Sequence, residues 1–332
     1  MSSAIITPTN AARLERVRQL RTSRSTSDSG QKLAFDSRGT RLVSTAQRGS
    51  HVCWWDLTDA SDAPVHGAEL TLTPTLAFIP LTNLVVGAGP PVASAATPWR
   101  PRLMGLSARD GTLLRETAMP HVVSSLGASR GGRLLMLFEE GEALLWDAAD
   151  WRPVRELRGW PESISVNACT VSPDGRFAAA VARSDFEDRG RFWLWDLATD
   201  ALPWSLSLDA PFLWSIAFHP TEPLLVVGGN TNEVAVVDAA ERRVVRTLSQ
   251  FDRYACNLDF SPDGRLLVAS GDGRGFVVHR FDTGDVLFFH GDDNNPQTSD
   301  AVFSPDGRGI AWGQGDGTVG LWCVTDEAPA LR

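Results

Sequence analysis

Lysine is nearly absent from this 332-residue chain: of 31 basic residues only Lys32 is lysine, and 40 acidic residues leave a formal net charge of −9. A nucleic-acid footprint needs a clustered basic face, so direct contact with nucleic acid is not expected. Cysteine is scarce too. Cys53, Cys169, Cys256 and Cys323 stand at least 67 residues apart, which leaves no CxxC pair for zinc or redox chemistry. Each lies in an apolar run and reads as a small buried hydrophobe. No apolar run reaches the ~18 residues of a membrane span. Met1 to Arg21 carries Arg and Glu and lacks the apolar stretch of a secretory leader. The expectation is a cytoplasmic protein without a membrane partner. Arg in place of Lys, with abundant Ala, reads as GC-rich codon usage and points to a bacterial source.

Clusters that carry chemistry are missing as well. His51, His66, His121, His219, His279 and His290 are scattered without ligand spacing. There is no HExxH, no GxSxG, and no Gly-rich phosphate loop leading into a helix. Gly271-Asp272-Gly273-Arg274-Gly275 resembles a dinucleotide fingerprint only superficially. It falls between two strand-like segments, in register with Gly313-Gln314-Gly315-Asp316-Gly317, and reads as a hairpin. Asp185-Phe186-Glu187-Asp188 and Asp292-Asp293-Asn294-Asn295 offer oxygens without the spacing of a calcium loop. No catalytic residue, cofactor or metal site is expected.

What the chain has is turns. Its 29 Gly and 20 Pro are ample for a turn-rich fold. One turn recurs as Ser172-Pro173-Asp174-Gly175-Arg176, Ser261-Pro262-Asp263-Gly264-Arg265 and Ser304-Pro305-Asp306-Gly307-Arg308, and more loosely as Ser129-Arg130-Gly131-Gly132-Arg133. Pro presets φ and the later Gly accepts positive φ, so each copy predicts a tight hairpin between two short apolar strands. Weaker copies follow Phe35, Phe78 and Phe218. The residues before the turns (Phe35, Phe78, Ala128, Val171, Phe218, Phe260 and Phe303) are 42 to 50 residues apart. About 25 residues past each comes an apolar segment closing on a large residue and Asp. Trp54-Trp55-Asp56, Leu145-Trp146-Asp147 and Leu194-Trp195-Asp196 are clear cases. Val236-Val237-Asp238, Arg280-Phe281-Asp282 and Leu321-Trp322-Cys323 are degenerate ones, and Leu106-Ser107 is the weakest.

A period of this length with four strand-like segments is that of propeller blades. The turns and Trp-Asp pairs resemble the WD-repeat (WD40) family of β-propellers over residues 14 to 325. The family's Gly-His before the first strand is largely missing, and its tight-turn Asp is matched only by Asp272 and Asp316. The resemblance implies an all-β, seven-bladed propeller of four-stranded antiparallel blades. The blade repeats fall near 29–71, 72–117, 121–158, 164–208, 212–249, 254–290 and 297–325. The last blade lacks an outer strand, whereas residues 15–22 match that pattern, so this segment is expected to pair with it and close the ring. A helix over 11–20, with Leu14, Val17 and Leu20 on one face, is the rival reading. Residues 1–13 and 326–332 are read as tails.

Loops that link blades share one rim, here called the top, with the loops joining second to third strands. Aromatics collect there: Trp160 between blades three and four, Phe212 and Trp214 between four and five, Phe251 and Tyr254 between five and six. The enlarged blade-two loop, Gly87 to Pro101, carries Trp99 among prolines. These six aromatics are the candidate partner-binding residues, because loop-borne aromatics at a polar rim make good interface anchors. The alternative for Trp160 and Phe251 is that they fold back and fill gaps between blades. Trp54, Trp193 and Trp195 lie in third strands with core periodicity and read as packing. The channel mouth would carry Ser29, Gln31, Ser124, Ser165, Asn167, Gln297 and Ser299, which are hydrogen-bonders without a base or nucleophile. The expected function is a non-catalytic scaffold that binds a protein or peptide on its top face, a monomer within a hetero-complex. A small-molecule or modified-peptide sensor with an aromatic pocket, and a propeller enzyme of lactonase-like or oxidoreductase type, are the alternatives.

Overall fold

The structure is a computed structural model that describes residues 3–21, 33–46, 51–69, 75–79, 84–89, 101–129, 132–138, 140–161, 166–182, 189–249, 255, 257–271, 275–291, 300–314 and 318–325. Their strands form seven antiparallel sheets, six of four strands each, with strands in chain order from the inside out. The sheets occupy residues 33–69, 75–118, 123–157, 166–207, 213–248, 257–291 and 301–325, so the seven-bladed propeller expected from the repeat is the fold. The 3-10 turn Ala11–Arg13 is the one helical element among the described residues.

The repeated turn works as its chemistry predicts. The Ser172 hydroxyl donates to Asp174 Oδ1 at 2.5 Å and accepts the Phe177 amide at 2.8 Å, while Gly175 sits at φ 72°. The same set recurs at Ser261 with Asp263 and Leu266, and at Ser304 with Asp306 and Gly309. At the same end of blades three and five the Asp that closes the third strand folds back on the next turn. Asp147 Oδ1 accepts the Ala149 and Asp150 amides at 2.9 Å each, and Asp238 Oδ1 those of Ala240 and Glu241. Trp55, Trp146, Trp195 and Trp322 are buried in the gaps between sheets.

Blade six corrects one register. The Asp of the pair faces the first residue of the second strand, as Asp147 faces Arg133 and Asp196 faces Phe177. In blade six Arg280 takes that place, opposite Leu266. The Trp-Asp equivalents are therefore His279 and Arg280, two residues earlier than Phe281-Asp282. His279 is fully buried where other blades place Trp, and its Nδ1 lies 3.1 Å from the Gly284 carbonyl.

The ring closes through the N-terminus. Glu15–Leu20 pairs antiparallel with Val319–Thr325, Glu15 facing Cys323 and Leu20 facing Val319, which excludes the helix reading. The preceding residues are no tail. Ser3–Ala4 extends the same edge opposite Thr325 and Val324, and Ile6, Ala11 and Leu14 bury against Trp312 and Trp322. Adjacent inner strands are also tied to one another. Asp259 accepts the Phe303 amide at 2.7 Å, and the buried Asp300 accepts the Leu33 amide at 3.2 Å.

Candidate functional site

Three inner strands carry a β-bulge at the same place, and the bulge decides which side chains reach the top. Pairing skips one residue between Val123 and Ser125, between Val166 and Ala168, and between Leu213 and Ser215. The skipped residues are Ser124, Asn167 and Trp214. A bulge leaves its extra residue out of the ladder and re-aims its side chain. Ser124 and Asn167, expected at the channel mouth, spend their polar groups on the scaffold. Ser124 Oγ donates to the Leu137 carbonyl at 2.9 Å and Asn167 Nδ2 to the Leu213 carbonyl at 2.6 Å.

Trp214 has no such polar task toward the core. Its ring stays 37% exposed and stacks on Phe212, with centroids 5.6 Å apart and planes 24° from parallel. The indole Nε1 donates to Asn230 Oδ1, which sits on the neighbouring loop between second and third strands. The Asn230 amide in turn donates to the Phe212 carbonyl at 2.9 Å. Both rings are thus fixed to one backbone corner beside the exposed Pro211. A rigid aromatic pair of this kind can bury large apolar area against a partner at low entropic cost.

Trp160 is a different case: expected as a candidate anchor, it takes the alternative position and fills a gap between blades. It is 6% exposed, with its ring 4.8 Å from Trp193 and 6.0 Å from Trp195 between blades three and four. The Gly159-Trp160-Pro161 linker folds inward because Trp193 offers the indole a wide apolar wall, so Trp160 has no surface to give a partner. Trp54, Trp193 and Trp195 pack in the interior as expected. Phe251, Tyr254 and Trp99 lie outside the described residues, as does Cys256. Of the six candidate residues, the described part of the rim brings Phe212 and Trp214 together and leaves Trp160 apart. The role of Asn230 was missed by sequence reasoning; its place beside a bulge on the adjacent strand carries no local signal.

Next to this pair is a cleft of about 160 Å³ between blades four and five. Leu213, Val227 and Ala235 are among the residues that line it, and Asp209 and Glu233 line it too. Among the described residues no group of three or more His, Cys, Asp or Glu is arranged to hold a metal ion. No helix among them is long and apolar enough to cross a membrane. Burial pushes the Cys169 thiol up to about 12, so it remains a thiol.

Residues 242–277 match the family model described as WD domain, G-beta repeat. That span runs from the outer strand of blade five into the third strand of blade six. The human protein Echinoderm microtubule-associated protein-like 4 is 26% identical over 57% of this chain and 18% of its own length. The mouse Echinoderm microtubule-associated protein-like 3 is 24% identical over 93% of this chain and 40% of its own length. WD repeat-containing protein SL1-17 of Schistosoma mansoni is 28% identical over 47% of the chain and 51% of its own length. The chain therefore spans between about a fifth and a half of these relatives. Together the match and the relatives support the WD-repeat resemblance. All three relatives are animal proteins and lend no support to a bacterial source.

Proposed function

We propose that this WD-repeat-like propeller is a non-catalytic scaffold that binds a protein partner on its top face, with Phe212 and Trp214 as anchors. The observation that carries the reading is the stacked pair itself, held by Asn230 and left partly exposed at the rim. A soluble surface seldom keeps a fixed apolar patch open without something to cover it. The acidic net charge and the WD-repeat relatives support a protein partner over nucleic acid. In this reading the ring works as a monomer inside a cytoplasmic hetero-complex and needs no cofactor.

The test is affinity capture from the native host, comparing wild type with the Phe212→Ala/Trp214→Ala double variant and identifying the retained proteins by mass spectrometry. The expected result is loss of one specific set of proteins at an unchanged melting temperature. Retention of the same set by a folded double variant would overturn the reading.

A further inference from the structure

The two linkers on either side of blade four meet the same packing problem with opposite solutions. Three residues past the outer strand Arg152–Leu157 stands Trp160, and three past Trp204–Ser207 stands Ala210. In the third strands, Trp193 of blade four and Ala235 of blade five occupy equivalent places, each two residues before the large residue of the Trp-Asp pair. Between blades three and four, Trp160 on Trp193 fills the gap. Between blades four and five both positions are Ala. The cross-strand row over that gap, Val227 to Ala235 to Thr247, is made of small residues. The cleft of about 160 Å³ is what remains.

We propose that this cleft takes one aliphatic or phenyl side chain of a partner peptide, flanked in that peptide by Lys or Arg. The inference rests on the scaffold reading and names the chemistry of its partner. Size is the first argument. A cavity of about 150 Å³ lined by apolar side chains accommodates a benzene ring, and the floor here is Leu213, Val227 and Ala235. Charge is the second. Among the described residues that line the cleft, the ionisable ones are acidic, Asp209 and Glu233. Glu233 is exposed, and the Asp209 side chain is 96% exposed, with a loose contact to Arg189 at 3.7 Å. A basic residue beside the inserted side chain therefore meets two carboxylates, and an acidic one is repelled. Position is the third, since Leu213 lies between Phe212 and Trp214 in the chain. A peptide covering the stacked rings passes the mouth of the cleft.

The probe is a capped, fluorescently labelled heptapeptide with a central Leu between two Lys. It is compared with versions carrying central Ala or flanking Glu, using the full chain and peptide-binding anisotropy up to about 1 mM. Either control peptide is expected to bind at least about tenfold more weakly than the Lys-Leu-Lys form. Ala235→Trp, which imports the packing of blade four, abolishes binding while melting is retained; Ala235→Leu serves if the larger side chain prevents folding. Glu233→Lys, at an exposed position, moves the preference toward the Glu-flanked peptide. The proposal is overturned if the Lys-Leu-Lys peptide does not bind, if the flanking charge makes no difference, or if a folded Ala235→Leu or Ala235→Trp variant binds as wild type does. The two readings fail separately. Binding lost in Phe212→Ala/Trp214→Ala but kept in folded Ala235→Trp leaves the rim and removes the cleft.

Discussion

His219 takes the place that Ser holds in the repeated turn, and its ring substitutes for the hydroxyl. Nδ1 accepts the Thr221 and Glu222 amides at 3.3 and 3.0 Å, which leaves Nε2 to donate to the Gly264 carbonyl of the next blade at 3.1 Å. The ring packs on Phe260 and Phe281, and a Cβ on Gly264, which sits at φ +74°, would collide with it. Protonation removes the acceptor, and burial independently holds the His219 pKa below its ordinary value. Burial acts the same way on His279. The unfolded chain then takes up the proton first as pH falls, so stability rises with pH in this range. Stability from these rings is complete above about pH 6.5 and declines below it. Thermal melts between about pH 7 and pH 5 should show wild type losing more stability than His219→Ser, which restores the residue of the other turns. Parallel pH profiles would contradict the assignment. This role was hidden in the sequence, where Phe218-His219-Pro220 reads only as a weak turn. A burial effect needs the neighbouring blade to be in place.

At the scale of elements, four outer strands place Arg directly after their own bulged residue (Val17, Leu114, Val154 and Val245): Arg18, Arg115, Arg155 and Arg246. Each reaches the turn of the next blade. Arg155 donates to the Leu197 and Thr199 carbonyls at 3.0 and 3.1 Å and to Asp200 at 2.6 Å. Arg246 donates to the Phe281 and Asp282 carbonyls, and Arg115 to the Ala149 carbonyl at 2.8 Å. Arg18 reaches Asp62 in blade one, carrying the pattern across the point of closure. Lys has one point of charge where this fork serves several carbonyls at once. Arg155→Ala should therefore cost about 1–2 kcal/mol, since it deprives backbone acceptors of their donor. Arg152→Ala, whose contact among the described residues is with the exposed Asp150 two residues away, should cost under about 0.5 kcal/mol. Chemical denaturation distinguishes them, and equal losses would refute the clamp. The turns were legible because Ser, Pro, Asp and Gly act within a few residues. The clamp was not, because each Arg acts on carbonyls 34 to 44 residues away in the next blade and leaves no signature within its own strand. The blade-six register was missed for a related reason. Phe281-Asp282 imitates the local pattern, whereas pairing with Leu266 decides the position.

For the whole molecule, the ring is a closed sum of blade-to-blade contacts, and its last contact is supplied by the first residues. Removing residues 1–20 exposes the outer edge of Val319–Thr325 and strips Ile6, Ala11 and Leu14 from the core beside Trp312 and Trp322. The expected result is a fall in melting temperature of more than about 10 °C or loss of the cooperative transition. Unchanged melting would mean that the strand is dispensable. Closure was readable from strand counting alone; for Trp160 the sequence left rim and gap both open, and Trp193 across the gap decides for the gap. Closure also makes the rim rigid, which lets a single stacked pair act as an anchor. The direct test is calorimetric binding of the captured partner to wild type and to Trp214→Ala, with melts recorded on both. An anchor predicts a loss of about 2 kcal/mol, roughly thirtyfold in Kd, at an unchanged melting temperature. Equal affinity in a folded variant, or a variant that no longer folds, would contradict the assignment of Trp214 to the binding surface.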